Sequence, residues 1–204
     1  MEQDTQKKRE IRQTALQLFK ESGYDNVTLN DICRAAGISK NTFYYYFSSK
    51  DALIMDLFRV PVTLSEENMV KIMSISDPYE QLQYTYRLMV DYMKDLGREI
   101  VKKALVANLS RVETVERPKA CDHAHKPNPY MEMLKCIYVK AVETGEVRSD
   151  VPVERLLKLT IALYIGCVQI WATAPMELDL EKMYFENLDP MLRIQNGKEK
   201  EKSR

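Results

Sequence analysis

The chain is poor in the groups that most enzyme chemistry draws on. Its 204 residues include two histidines, one tryptophan and four cysteines. Both histidines fall in one stretch, Cys121-Asp122-His123-Ala124-His125. No histidine is left elsewhere to act as a base beside a nucleophile, and no glycine-rich phosphate loop is present. The Cys121, His123 and His125 spacing matches no standard zinc arrangement, and no second ligand cluster exists in the sequence. A polar loop is the simpler reading, so neither a metal nor a cofactor is expected. Cys33, Cys121, Cys136 and Cys167 form no disulfide framework, which suits a reducing cytoplasm. Redox sensing through Cys33 or Cys167 is a minor option, because buried thiols are usually inert.

Excess charge is also missing. Thirty basic residues balance thirty acidic ones, and the first 58 residues carry eight of each. Binding to a polyanion therefore cannot rest on bulk charge; it needs cations placed one by one, with hydroxyls and helix N-termini assisting. No apolar run of about 18–20 residues free of charge occurs. The nearest, Leu159–Ala174, is short and interrupted by Thr160, Gln169 and Thr173. No membrane contact is expected. The charged N-terminus, with no apolar run after it, does not read as a signal peptide.

What the chain does have is concentrated in Thr28–Leu53, TLNDICRAAGISKNTFYYYFSSKDAL. Thr28 suits the cap of a short helix, with Asp31 as its reciprocal partner. Ile32, Ala35 and Ala36 supply that helix's apolar face. Gly37 ends it, since glycine accepts the left-handed backbone that closes a helix. Ile38 plugs the turn, and Ser39 caps a second helix from Lys40 to about Phe47. Phe43 and Phe47, four apart, point inward together. Ser48 and Asp51 form another capping box that opens the next helix. Two helices across a short glycine turn are the helix-turn-helix arrangement, whose second helix enters the DNA major groove.

The wider pattern resembles the TetR/AcrR family of bacterial transcriptional repressors. It is carried by A-x-x-L-F-x-x-x-G-Y at Ala15–Tyr24, A-G-I-S at Ala36–Ser39 and T-F-Y-Y-Y-F-S-S-K-D-A-L at Thr42–Leu53. The likeness spans Arg9–Phe58; beyond it the chain matches only in length and helical pattern. The resemblance implies an all-α protein with a three-helix DNA-binding head at 1–50. A helical effector-binding and dimerisation body at 51–196 follows, then a solvated tail at 197–204. It implies a homodimer on a palindromic operator in double-stranded DNA, released by a small effector. It also makes Lys50, at the start of the fourth helix, a phosphate clamp.

Along the chain, residues 1–6 are expected to fray. A helix at 6–22 buries Ile11, Ala15, Leu18 and Phe19. Lys7, Lys8, Arg9 and Arg12 crowd its start, where cations do not help the helix dipole and where they suit solvent or a phosphate. The helix opening at Ser49 meets Pro61, so it kinks near 59–60 or restarts by about Leu64. Further helices are predicted at 78–96, 99–110, 129–144, 152–174 and 180–195, about nine in all, with a long loop at 112–128. Pro190 implies a bend or break in the last of them.

Site residues follow. On the second helix of the motif, Lys40 and Tyr44 are placed nearest the bases, and Thr28, Tyr45 and Lys50 at phosphates. Asn41 and Thr42 suit either role. Tyr86, Met89, Met93, Tyr138, Tyr164, Cys167 and Trp171 are candidates for an effector pocket with adaptable apolar walls, favouring a hydrophobic or aromatic effector. Leu156, Leu159, Leu163, Gly166, Ile170, Met183, Leu188 and Met191, on the two C-terminal helices, are candidates for a four-helix dimer interface. The alternatives from other classes are a helical protein-interaction adaptor whose tyrosine-rich helix no longer reads DNA, and a metal-dependent protein or enzyme using Cys121, His123 and His125.

Overall fold

A computed structural model describes residues 2–59, 65–110 and 129–193. Pro61, the Cys121/His123/His125 stretch and the 197–204 tail lie outside them. No strand occurs among the described residues, and ten helices do. They are α1 (Glu2–Ser22), α2 (Leu29–Ala35), α3 (Lys40–Tyr46), α4 (Lys50–Arg59), α5 (Glu66–Ser74), α6 (Pro78–Leu96), α7 (Arg98–Ser110), α8 (Pro129–Glu143), α9 (Val153–Thr173) and α10 (Leu180–Leu192). The helix beyond the predicted nine is α5. Its start is local chemistry, with the Ser65 hydroxyl accepting from the Asn68 amide at 3.1 Å.

Several boundaries shift from expectation for physical reasons. Helix α1 already runs from Glu2, and side-chain pairs one turn apart bind Lys7 to Glu10 and Gln6 to Glu10. Pro152 stands just before α9 as its cap residue rather than inside it. Helix α10 carries Pro190 within its last turn and continues to Leu192. A late proline forfeits one bond near a helix end, where few bonds remain to lose.

The chain packs as two compact units. The first comprises residues 1–60 and 92–118, the second 61–91 and 119–204. In the first, Ile11, Ala15 and Phe19 of α1 are buried with Ile32, Cys33, Phe43, Phe47, Leu53, Ile54 and Leu57. Leu18 is half-buried, as is Ile38, so the turn residue is less of a plug than its apolarity suggests. In α2 it is Cys33 rather than Ala35 that turns inward beside Ile32; Ala35 is exposed. Helix α7 packs on α4 within this unit. Lys20 pairs with Asp95 at 2.8 Å and Lys103 with Asp25 at 2.7 Å. Tyr92 donates to the Leu57 carbonyl at 2.7 Å.

In the second unit, α9 lies against both α8 and α10. Helix α9 is 21 residues long and apolar enough by composition to cross a membrane. Its polar groups are instead used inside the unit, where Thr160 and Tyr164 are buried and hydrogen-bonded. Leu156 and Leu188, expected at a dimer interface, are fully buried within the single chain. They belong to the core, because they fall on the faces that α9 and α10 turn toward their own unit.

Candidate nucleic-acid interface and candidate sensing core

The head's geometry is built by caps. Thr28 has an extended backbone, and its hydroxyl accepts from the Asp31 amide at 3.2 Å. The Asp31 carboxylate in return accepts from the Thr28 amide at 3.0 Å and the Thr28 hydroxyl at 2.6 Å. These bonds, the hydroxyl's first, hold the Asp31 carboxyl below its ordinary range. At the far end of α2, Gly37 adopts φ +62°. The Ile38 amide reaches back to the Cys33 carbonyl at 2.9 Å and the Gly37 amide to that of Arg34 at 3.3 Å, the paired bonds of a Schellman turn. Ser39 then caps α3 through the Thr42 amide at 3.1 Å. This fixes the angle between the two helices and aims the outer face of α3.

That face carries the predicted contacts. Lys40, Asn41, Tyr44 and Tyr45 are all exposed, Tyr44 at 54% and Tyr45 at 72%. Phe43 and Phe47 are buried behind them. Two large aromatics that stand out from a two-turn helix whose inner face is already filled contribute little to the core. Thr42 is half-buried, and its hydroxyl lies 2.9 Å from that of Ser39. Thr28, though exposed, has its hydroxyl proton engaged by Asp31.

Charge placement sharpens the picture. Five of the eight basic residues in the first 58 are held in ion pairs: Lys7 with Glu10, Lys8 and Arg12 with Asp56, Lys20 with Asp95, and Arg34 with Asp31. Lys50 is held differently. Its ammonium donates to the carbonyls of Tyr24 and Val27, both at 2.8 Å, and sits 4.1 Å from the centre of the Tyr24 ring. The Tyr24 hydroxyl in turn donates to Asp51, and burial, then that bond, raises the phenol's pKa. Lys50 thus ties the loop between α1 and α2 to the start of α4, with one N–H left over. Among the described residues, Arg9 and Lys40 are the exposed basic residues of this segment outside any such pair. Of the four cations at the start of α1, only Arg9 remains open, a distinction that the sequence did not carry.

In the second unit the predicted effector residues come together around tyrosine. Tyr86 and Tyr138 are fully buried, with hydroxyls 3.1 Å apart, and Tyr86 is 2.8 Å from the Thr160 hydroxyl. Tyr164 donates to the Met89 carbonyl at 3.0 Å. Sequence reading missed three members: Tyr130, Thr160 and Tyr184. Tyr184 is fully buried, with its ring against those of Tyr86 and Tyr164. Cys167 and Trp171 are buried on α9, and the Cys167 sulfur lies 3.9 Å from the Met183 carbonyl. Met93 is buried too, but in the part of α6 that belongs to the first unit. Burial raises the pKa of both the Cys33 and the Cys167 thiols.

The remaining interface candidates form a stripe. Leu159 is 42% and Ile170 54% exposed, with Leu163 and Gly166 half-buried between them on the same side of α9. A Cβ built on Gly166 would meet nothing within 4 Å. Met183 and Met191 on α10 are half-buried. No group of three or more metal-ligating side chains occurs among the described residues.

Residues 11–57 match the family model described as bacterial regulatory proteins, tetR family. The transcriptional repressor AcnR of Corynebacterium glutamicum is 26% identical over 176 residues, covering 83% of this chain and 84% of that protein. A probable acrEF/envCD operon repressor of Escherichia coli is 23% identical over 196 residues, covering 92% and 86%. Thermus thermophilus FadR, a TetR-family repressor solved with lauroyl-CoA, shares the fold with a TM-score of 0.63 and 22% identity, covering 90% of this chain and 92% of that one.

Proposed function

From the premise that this chain is a TetR-family transcriptional regulator, we propose that it represses from a palindromic operator as a two-fold dimer and lets go when an effector enters its second unit. The observation that carries the reading is the outer face of α3. There an unpaired lysine, an amide and two exposed phenols stand together on a helix whose other side is locked by Phe43 and Phe47. Lys40 and Tyr44 lie nearest the bases, with Asn41 beside them. Tyr45 and Arg9 meet phosphates. Thr42 and Thr28 act mainly through the caps that aim the helix, with backbone amides beside them for phosphate oxygens. Lys50 does two things: it holds the α1–α2 loop and offers its remaining N–H to a phosphate.

Pairing uses the α9 stripe of Leu159, Leu163, Gly166 and Ile170, flanked by Met183 and Met191. Apolar side chains left outside a filled core, around a glycine that nothing approaches, suit a second helix at close range. The effector is hydrophobic or aromatic, in keeping with the tyrosines, Met89, Cys167 and Trp171. On this reading the DNA-binding role falls to residues 1–50, inside the first unit, and sensing and pairing to the part of 51–196 that lies in the second.

The test is fluorescence anisotropy of the full chain against DNA flanking its own gene, across a salt series, with scrambled DNA as the control. Selective, salt-sensitive binding is expected. Equal and weak binding to both DNAs would point instead to a helical adaptor. Replacing Ile170 by Asp should yield a monomer by sedimentation, with operator affinity falling by roughly two orders of magnitude as the second half-site is lost. A dimeric Ile170→Asp protein would refute the α9 pairing.

A further inference from the structure

The core of the second unit allows its hydroxyl protons to be followed one at a time. A buried O–H that finds no acceptor is costly, so each proton should have a destination. The Thr160 hydroxyl lies 3.1 Å from the Leu156 carbonyl and 3.0 Å from that of Leu157, where it can only donate. Its oxygen therefore accepts from Tyr86, and Tyr86 accepts from Tyr138. Tyr164 donates to the Met89 carbonyl. That leaves the Tyr184 hydroxyl, which is fully enclosed and has no hydrogen-bond partner among the described residues.

Packing does not account for that oxygen. The Tyr184 ring is held edge-on by Tyr86, Tyr164 and Phe185, with centroids 5.6, 5.7 and 5.3 Å away. A phenylalanine would keep these contacts without the burden of an unmet hydroxyl. A second observation limits what can answer it. Apart from the tyrosines, the buried polar side chains among the described residues are Gln81, Thr85 and Thr160, and none is charged. Gln81 and Thr85 are spent on the carbonyls of Ile72 and Gln81, at 2.9 and 2.7 Å. Among the described residues, no buried charge would neutralise a carboxylate or an ammonium group.

Building on the effector reading above, we propose that Tyr184 is the anchoring donor of the effector site and that the effector is uncharged. Its body is aromatic or otherwise apolar, and it presents one oxygen acceptor, a carbonyl, ether or hydroxyl, to the Tyr184 proton. Burial raises the phenol's pKa and keeps it a donor throughout the physiological range. The Tyr86, Tyr138 and Thr160 row positions the neighbouring rings and takes no part in the anchor.

The experiment compares the full chain with its Tyr184→Phe and Tyr86→Phe variants. Without ligand, Tyr184→Phe should melt at or above the wild type and Tyr86→Phe below it. A lower melting temperature for Tyr184→Phe would mean that a resident water already satisfies the hydroxyl, and the proposal falls. The ligand arm uses alkyl phenyl ketones, the matching alkylbenzenes and the matching phenylalkanoates, read by calorimetry and by operator release. Ketones should bind the wild type and bind Tyr184→Phe about tenfold more weakly, the worth of one hydrogen bond. Alkylbenzenes should bind both proteins alike, and the anions neither. Unchanged ketone affinity in Tyr184→Phe overturns the anchor, and preference for the anions overturns the neutral class. Binding by no probe in any protein overturns the sensing role of this unit. That outcome is distinguishable, because the ligand-free melting comparison still reports on the hydroxyl.

Discussion

The two units cap their helices alike but differ in what they bury. In the first, hydroxyls, carboxylates and ammonium groups sit at helix ends and on the surface. Thr28, Ser39 and Ser49 cap backbone amides three residues ahead, and Lys50 gathers two carbonyls of a loop. In the second, phenols and a threonine are drawn inside and bonded across helices. The first arrangement makes a rigid platform whose outward face is set by local geometry. The second makes an interior that holds together through directional bonds and is therefore sensitive to anything that competes for them. A scaffold that must present side chains to a fixed lattice of phosphates suits the first design. A core that must respond to a small molecule suits the second.

Substitutions can break this contrast, and the largest effect is expected in the platform's core. Phe43→Ala should cost about 3–5 kcal/mol and abolish selective DNA binding, measured by denaturant unfolding and anisotropy. In the interior, Tyr86→Phe removes the donor to Thr160 and the acceptor for Tyr138 together. A loss of about 1–3 kcal/mol is expected in the same unfolding assay. Thr28→Ala, which opens a surface cap, should cost about 1 kcal/mol.

Smaller effects sharpen the charge placement. Lys40→Ala should weaken the operator more than scrambled DNA, whereas Arg9→Ala should weaken both alike and lower the salt slope by about one unit. Arg34→Ala, whose cation already faces Asp31 at 2.6 Å, should leave the slope unchanged. Lys50→Met separates the observed loop tie from the proposed phosphate contact: a lower melting temperature reports the tie, and a lower slope would report the phosphate. The smallest effect is one of pH. The Asp31 carboxyl is held below its unfolded value, mainly by the Thr28 hydroxyl. Its contribution is therefore complete above about pH 4, the ordinary carboxylate range, and is lost as pH falls through the lowered value. Asp31→Asn should flatten that part of the acid unfolding curve.

The same contrast explains what could be read from the sequence. The platform's devices act within three or four residues, so Thr28 with Asp31, Gly37 after Ala36 and Ser39 before Lys40 announce themselves in order. Lys50 was legible as a residue at a helix start but not as a tie, because its carbonyls lie 26 and 23 residues away. The interior depends on pairs 52, 74 and 75 residues apart. Tyr86, Tyr138 and Tyr164 stood out as aromatics at helical spacing. Tyr184 read only as part of an apolar stripe, and Thr160 as a polar blemish in an apolar run. Leu156 and Leu188 could not be told from interface leucines, since periodicity marks a buried face without saying which chain buries it.

The sparing use of open cations on the platform bears on how many molecules a cell would need. A regulator with many free lysines and arginines is soaked up by the whole chromosome, and most copies sit idle on irrelevant sequence. Here Arg9 and Lys40 stand open while the other cations of the segment are tied to carboxylates or carbonyls. With two open cations, less of the pool would be lost in that way, and occupancy of the proposed operator would follow copy number more closely. On the proposed reading, fewer copies would be needed to keep an operator covered.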